Sequence, residues 1–135
     1  MPGTHPAAAA AHRAMNAVNA NDRAAWLACY APDAVLYDPV GGSPLDPDGN
    51  GLRGHAALDR FWQLTVSPST VRFTIDAVHA AGDEAAVVAS VSTRLPNQAT
   101  VNYDGVFVYR TDHHGRIISL RGYWDIQHVL AALNG

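Results

Sequence analysis

The second half of the chain contains four long segments with the composition of β-strands, joined by short turns. Residues 71–80, 84–95, 99–110 and 116–126 are rich in β-branched and aromatic residues. Turn-forming residues separate them, with AGD, PNQ and TDHHG between successive segments. Connections this short favour hairpins, because parallel neighbours need a much longer crossover. These segments therefore predict an antiparallel meander.

The first half of the chain predicts helices and one strand. An alanine-rich stretch, residues 7–18, favours a helix, and Asn21 or Asp22 can cap a second one. Pro32 ends that second helix, and residues 34–40 follow as a strand. The apolar set of the second helix is predicted to be Trp26, Leu27 and Tyr30.

Three further segments complete the predicted order. Residues 41–54 are crowded with Gly, Pro and Asp, and they predict a loop long enough to form a rim or lid. A short helix is expected at 55–64 and another at 127–133. Helices followed by a run of antiparallel strands define the α+β class, with helices packed on one face of a curved sheet that encloses an apolar interior.

Length and charge limit the organisation and the partners. A chain of 135 residues supports a single domain, assigned to residues 7–135 behind a tail at 1–6. The net charge of −3 gives no reason to expect nucleic acid or an anionic membrane as partner. No apolar run approaches a signal peptide or a membrane span, so we expect a cytoplasmic protein.

Several types of reaction and binding site are not expected, because the sequence lacks the residues that they need. The absence of lysine excludes Schiff-base and lysine general-base mechanisms. The single cysteine, Cys29, follows an apolar helical pattern and predicts a buried structural thiol. The histidines show no metal-site spacing, and no phosphate loop, nucleophile elbow or zinc signature occurs. We therefore expect neither a cofactor nor a metal.

The stretch VLYDPVGG at 35–42 places one carboxylate among apolar residues. In a strand, Leu36, Asp38 and Val40 would share one face. The aspartate is then either an Asp-Pro turn initiator or a group retained for chemistry. Desolvation on an apolar face raises a carboxyl pKa, which suits a base that must pick up a proton. The local pattern leaves both interpretations open.

A series of motifs extends from about Ala7 to Trp124. A first helix ends in NAND, a second carries an aromatic residue, and APDAVLYDPVG, GHAALDRFW and GRIISLRGYWD follow. This series resembles the ketosteroid isomerase-like and SnoaL-like branch of the NTF2-like superfamily. The resemblance implies a cone-shaped α+β fold with a mainly antiparallel sheet, an apolar pocket at its open end, and commonly a homodimer.

The resemblance assigns a catalytic role to one residue and leaves two positions unmatched. Asp38 matches the general base of the ketosteroid isomerases, which moves a proton between two carbons while neutral donors hold the oxyanion. The positions of those donors fall on Ala14 and Phe107, which cannot donate a hydrogen bond. Asp104 is the nearest acid, but it points to the opposite face from Phe107 unless a register slip intervenes. The later-strand base of SnoaL-like cyclases is also unmatched.

Alternation along the strands and the family match together predict the substrate-binding residues. Tyr30, Tyr103 or Trp62 could supply a relocated donor to a substrate carbonyl. For the tryptophans, simple core packing is the alternative. The predicted lining residues are Ala14, Val18, Trp26, Tyr30, Leu36, Val40, Phe61, Trp62, Tyr103, Phe107, Tyr109, Leu120, Gly122 and Trp124.

Three functions remain open at this point, all with a small hydrophobic partner. The first is an isomerase- or cyclase-type enzyme acting on a bulky, apolar steroid- or polyketide-like carbonyl compound, with Asp38 as base. The second is a cyclase or pericyclase of natural-product biosynthesis whose aromatic-lined pocket acts as a template. The third is a protein that binds a hydrophobic ligand without catalysis.

Overall fold

A computed structural model describes residues 5–134 of the chain. Its elements follow the predicted order of helices, one early strand, a meander and a final helix. They are α1 (Pro6–Asn19), α2 (Arg23–Ala28), β1 (Tyr30–Tyr37), β2 (Leu52–Arg53), α3 (His55–Phe61) with a π-helical turn (Trp62–Val66), β3 (Thr70–Ala81), β4 (Glu84–Arg94), β5 (Thr100–Thr111), β6 (Ile117–Tyr123) and α4 (Ile126–Asn134).

The strands form one curved sheet in the order β2-β1-β6-β5-β4-β3. Strands β3 to β6 are antiparallel neighbours, which confirms the predicted meander. β1 pairs in parallel with β6, so the sheet is mixed although mainly antiparallel. The α+β cone with helices on one face is confirmed.

Helix α1 packs on β3, β4 and β5 through an alanine-rich face. Small side chains such as Ala10 and Ala14 are almost fully buried there, and they let the helix approach the strands closely. The Asn19 side chain fixes the end of α1 to β3, since it accepts from the Phe73 N–H at 2.7 Å and donates to the Phe73 carbonyl at 3.0 Å. The helix thus forms one wall of the cone.

The start and end of β1 differ from the prediction. Tyr30 begins this strand and is not part of the α2 helix, because its backbone pairs with Ile117 of β6. The strand ends at Tyr37, since Pro39 has no N–H to donate to the ladder. Asp38 therefore follows the strand, and its peptide bond to Pro39 is cis.

The predicted loop and tail are shorter than expected. Leu52 and Arg53 form β2 on the edge of β1, so only part of 41–54 is loop. Of the predicted tail, residues 1–4 lie outside the described residues, and Pro6 already begins α1. Cys29 is buried, as predicted, and burial raises the pKa of its thiol. Within residues 5–134, no helix is long and apolar enough to cross a membrane.

Candidate active site

The interior of the cone holds a cavity of about 360 Å³. Its wall is mostly hydrocarbon and aromatic, and Asp38 is its acidic residue. Leu64 and Leu133 line the cavity and are also about half exposed to solvent, at 51% and 45%, so they mark its mouth. An enclosed apolar cavity with few polar groups is the usual form of a small-molecule site.

Two neighbours fix the position of the Asp38 carboxylate. The indole Nε1 of Trp124 donates a hydrogen bond to Asp38 Oδ1 at 2.5 Å. Gly122 provides the space, because a Cβ built there would lie 2.8 Å from the same oxygen and 3.1 Å from Trp124 Nε1. Glycine at position 122 thus lets the carboxylate rest against the backbone of β6.

The environment of Asp38 favours the protonated form more than water does. Desolvation raises the pKa of this carboxyl from 3.8 to about 6, and the hydrogen bond from Trp124 partly opposes the rise. The ion pairs found within residues 5–134 involve other acids, namely Asp59, Asp83 and Asp112. Asp38 is thus a weakly compensated carboxylate, which can both accept a proton near neutral pH and release it again.

Aromatic rings form the wall around this carboxylate. The Tyr103 ring stacks on Trp124 with a centroid distance of 4.9 Å and an interplanar angle of 29°. Phe73 meets Phe107 edge to face at 5.3 Å. Stacked and edge-on rings make rigid apolar walls, which suit a flat or fused-ring ligand.

Most of the predicted site residues line this cavity. They come from α1, α2, α3, β5, β6 and the segments after β1 and β6, which are far apart in sequence. These residues are Val18, Trp26, Asp38, Phe61, Tyr103, Phe107, Tyr109, Leu120 and Trp124.

Other predicted lining residues do not reach the cavity. Four of them pack within the hydrophobic core and do not line the cavity: Ala14, Tyr30, Leu36 and Trp62. Gly122 has no side chain to present, and it makes room for Asp38 instead. Val40 follows the end of β1, so the strand alternation used to place it does not apply.

The structure gives the surroundings of the two residues that the resemblance assigns to donor positions. Ala14 is buried in α1, and Phe107 presents an apolar ring to the cavity. Asp104 pairs with Ser90 without a register shift, is exposed, and lies on the outer face of the sheet. A bulge that would turn Asp104 inward is therefore absent from the β4–β5 pairing of the described chain.

Sequence reasoning missed several parts of the cavity wall. The loop after β1 contributes Ser43, Pro44 and Leu45, and its Gly- and Pro-rich composition only indicated a rim or lid. The contribution of α4 could have been predicted from its apolar residues, because they repeat at helical spacing. The wall residues from α4 are Ile126, Val129, Leu130 and Leu133, and those from the chain before β3 through the turn after β4 are Leu64, Thr65, Val66, Pro68, Ser69, Val71, Phe73, Thr93, Leu95 and Pro96.

The donor set does not suit a metal. Among residues 5–134, no three His, Cys, Asp or Glu side chains cluster as metal ligands would. The polar groups of the cavity wall are the Asp38 carboxylate, a few hydroxyl groups and the polar tips of aromatic residues.

A cone of helices on a curved sheet, with one carboxylate in an apolar cavity, places this protein in the NTF2-like class. Residues 11–120 match the family model of the SnoaL-like domain, and the chain belongs to this family. This result confirms the resemblance drawn from the motif order.

Named relatives refine the family assignment. A steroid Δ-isomerase of Nocardioides simplex is 34% identical over 116 residues, which cover 86% of this chain and 87% of that protein. The crystal structure of a Δ5-3-ketosteroid isomerase from Mycobacterium sp. is 37% identical, with a TM-score of 0.86 over 93% of this chain and 97% of the other. These relatives are enzymes, which supports the expectation of an enzyme.

A third relative was solved with a steroid-type ligand. This Mycobacterium tuberculosis protein, in complex with estradiol-17beta-hemisuccinate, is 31% identical, with a TM-score of 0.86 over 93% of this chain and 98% of the other.

Proposed function

We propose that this protein is an isomerase-type enzyme that uses Asp38 to move a proton on a bulky, largely apolar carbonyl compound of the ketosteroid kind. The observation that carries the proposal is the Asp38 carboxylate, held by a single indole hydrogen bond inside an apolar cavity. Relatives named as steroid isomerases support the substrate class.

The chemistry follows from the position and pKa of Asp38. Its carboxylate removes a proton from the carbon next to the substrate carbonyl, and the electron pair moves onto the carbonyl oxygen as a dienolate. The resulting carboxylic acid returns the proton to a carbon further along the conjugated system, so the substrate isomerises without a net change in protons. A pKa of about 6 suits both steps, because the base is ionised at pH 7 and still basic enough to take the proton.

The test is turnover of a 5-ene-3-ketosteroid, followed by the ultraviolet absorbance of the conjugated enone. We expect measurable isomerisation that Asp38→Asn lowers at least 1,000-fold, roughly the range of a lost general base with its charge. Asp104→Asn is the matched control, because it makes the same chemical change on the outer face of the sheet. Equal activity of wild type and Asp38→Asn would contradict the proposal.

A template enzyme is the second candidate, and one observation favours it. Phe107, at a position that the resemblance assigns to a donor, presents an apolar ring to the cavity, which can shape a substrate but cannot donate a hydrogen bond. The enzyme would then act by proximity, because its cavity wall holds a flexible substrate in a reactive conformation. This candidate predicts that Trp26→Ala harms activity more than Asp38→Asn, whereas the isomerase predicts the reverse order.

We also propose that the protein forms a homodimer through the outer face of its sheet. Val106 and Tyr123 are cross-strand partners on that face and are 36% and 45% exposed, which is unusual for large apolar side chains. Light scattering coupled to size exclusion measures the mass directly. A dimer that Val106→Glu dissociates would support this surface, and a monomer at micromolar concentration would exclude it.

A further inference from the structure

Proton transfer next to a carbonyl leaves a negative charge on the carbonyl oxygen, and a donor must stabilise it. The two positions that the family resemblance marks hold Ala14 and Phe107, which cannot donate. The Trp124 indole hydrogen is already committed to Asp38, and the Thr65 hydroxyl is committed to the Phe61 carbonyl at 2.6 Å. The side-chain hydroxyls that remain in the cavity wall are those of Ser43, Ser69, Thr93, Tyr103 and Tyr109, and the two tyrosines reach furthest from the backbone.

The sheet register places Tyr109 close to the base. Phe107 lies opposite Gly122, the residue against which Asp38 rests. Tyr109 is two residues further along β5, on the same face as Phe107 and opposite Leu120. One dipeptide step along a strand is about 7 Å, a distance that a tyrosine side chain can span.

The hydroxyl of Tyr109 is available to a ligand. Tyr109 is only 3% exposed, yet it lines the cavity, and no residue between 5 and 134 makes a hydrogen bond to its hydroxyl. Burial, followed by the negative charge of Asp38, raises the pKa of Tyr109, so the phenol keeps its proton and remains a donor.

The other tyrosines of the core are placed less well for this role. The Tyr30 hydroxyl is buried without a partner among the described residues, but Tyr30 does not line the cavity. The Tyr103 ring lies flat against Trp124, so it forms part of the aromatic wall beside the base. Tyr109 alone of the three combines near-complete burial with a place in the cavity wall.

We propose that Tyr109 donates its hydroxyl hydrogen to the substrate carbonyl oxygen and so replaces, from β5, the oxyanion donors missing at Ala14 and Phe107. This inference rests on the proposed function for its catalytic meaning. The donor itself, however, can be tested without turnover. When Asp38 takes the proton from carbon, the electron pair arrives on the oxygen that Tyr109 bonds, and the hydroxyl keeps its own proton throughout.

Binding of 2-naphthol tests the donor directly, because its ionised oxygen imitates the dienolate. We expect wild type to bind 2-naphthol and Tyr109→Phe to bind it about tenfold or more weakly, since a hydrogen bond to a charged oxygen is lost. Tyr30→Phe is the matched control and should bind like wild type, because the Tyr30 hydroxyl also lacks a partner among the described residues but does not line the cavity. Affinities of Tyr109→Phe and wild type within twofold of each other, or no binding by wild type, would overturn the inference.

Steady-state kinetics on the 5-ene-3-ketosteroid separate the donor from a packing role. Tyr109→Phe should lower kcat by about 100- to 1,000-fold with little change in KM, because the hydrogen bond strengthens only as charge develops. The pH at half-maximal activity should stay where Asp38 sets it. A larger kcat loss in Tyr103→Phe than in Tyr109→Phe would assign the donor to Tyr103 and overturn the inference.

The 2-naphthol affinity and the steroid kinetics distinguish a failure of the proposed function from a failure of the proposed donor. If wild type does not turn over the steroid while Tyr109→Phe still loses 2-naphthol affinity, the proposed function fails and the donor stands. If Asp38→Asn abolishes turnover while Tyr109→Phe changes neither measurement, the function stands and the donor fails. Tyr109→Phe should fold normally, because the hydroxyl that it removes has no partner among residues 5–134.

Discussion

Trp124 donates its indole hydrogen to Oδ1 of Asp38 across 2.5 Å, and this contact joins two residues that are 86 positions apart. The bond orients the carboxylate and also opposes the effect of burial on its pKa. A base that was only desolvated would be protonated over more of the neutral range. Within the described chain, this donor helps to keep Asp38 ionised near pH 7 at a residue that lines the cavity.

Replacement of Trp124 by Phe should raise the pKa of Asp38 further. Among residues 5–134, the Trp124 indole provides the hydrogen bond that lowers this pKa, and the change removes it while leaving an apolar ring in nearly the same place. The pH at which kcat/KM is half-maximal should therefore move upward from about 6. Trp26→Phe is the control, since this indole packs on Phe61 and Trp62 and makes no bond to Asp38. A pH profile of Trp124→Phe that matches wild type would contradict this role.

Asp38→Asn should stabilise the folded protein at pH 7. The pKa of Asp38 is about 6 in the fold and near 3.8 when unfolded, so the folded chain binds the proton more tightly. The associated stability is full below about pH 3.8 and is lost as pH rises through 6. At pH 7 the charge costs up to about 3 kcal/mol, and the amide avoids that cost.

Chemical denaturation at pH 7 and pH 4 measures this difference. The free energy of unfolding of Asp38→Asn should exceed that of wild type at pH 7 and approach it at pH 4. Asp104→Asn, on the exposed outer face, should show no such difference. Asp38→Asn that is less stable than wild type at pH 7 would show that the carboxylate is better compensated than the structure indicates.

Gly122→Ala should displace the base while leaving the fold intact. The new methyl group would meet Asp38 Oδ1 at 2.8 Å, and Gly122 does not require a positive φ. We expect kcat to fall about 100-fold, because a misplaced base costs that order of rate. Gly122→Ala should clearly lower the melting temperature of the wild-type protein. It should lower the melting temperature of Asp38→Ala by less, because that variant lacks the crowded oxygen. Additive losses would disprove the contact.

Leu130→Ser should weaken substrate binding without changing the chemistry. Leu130 belongs to the α4 stripe that lines the cavity, and a polar side chain there loses apolar contact with a hydrophobic ligand. We expect KM to rise several-fold to tenfold while kcat and its pH dependence remain near wild type. Ala131→Ser is the matched control, because Ala131 is exposed and is not part of the cavity wall. Equal effects of the two variants would exclude α4 from the substrate site.

The sequence determined the meander, the α+β class and the side of β5 that faces the interior. Alternation along β5 placed Tyr103, Phe107 and Tyr109 together and sent Asp104 outward, because successive side chains in a strand point to opposite faces. The same local rule failed at the end of β1. There the strand stops at Tyr37, so Val40 is not on the cavity face.

Only the tertiary structure decided which aromatic residues form the cavity wall and what surrounds the base. Trp26 and Trp62 were both predicted to line the pocket, yet Trp26 lines the cavity and Trp62 does not, although their ring centroids are 5.3 Å apart. The space at Gly122 and the hydrogen bond from Trp124 likewise depend on how β6 lies beside the end of β1. A pattern in sequence fixes the direction of a side chain relative to its own element. Contacts between elements depend on packing distances, which no single segment encodes.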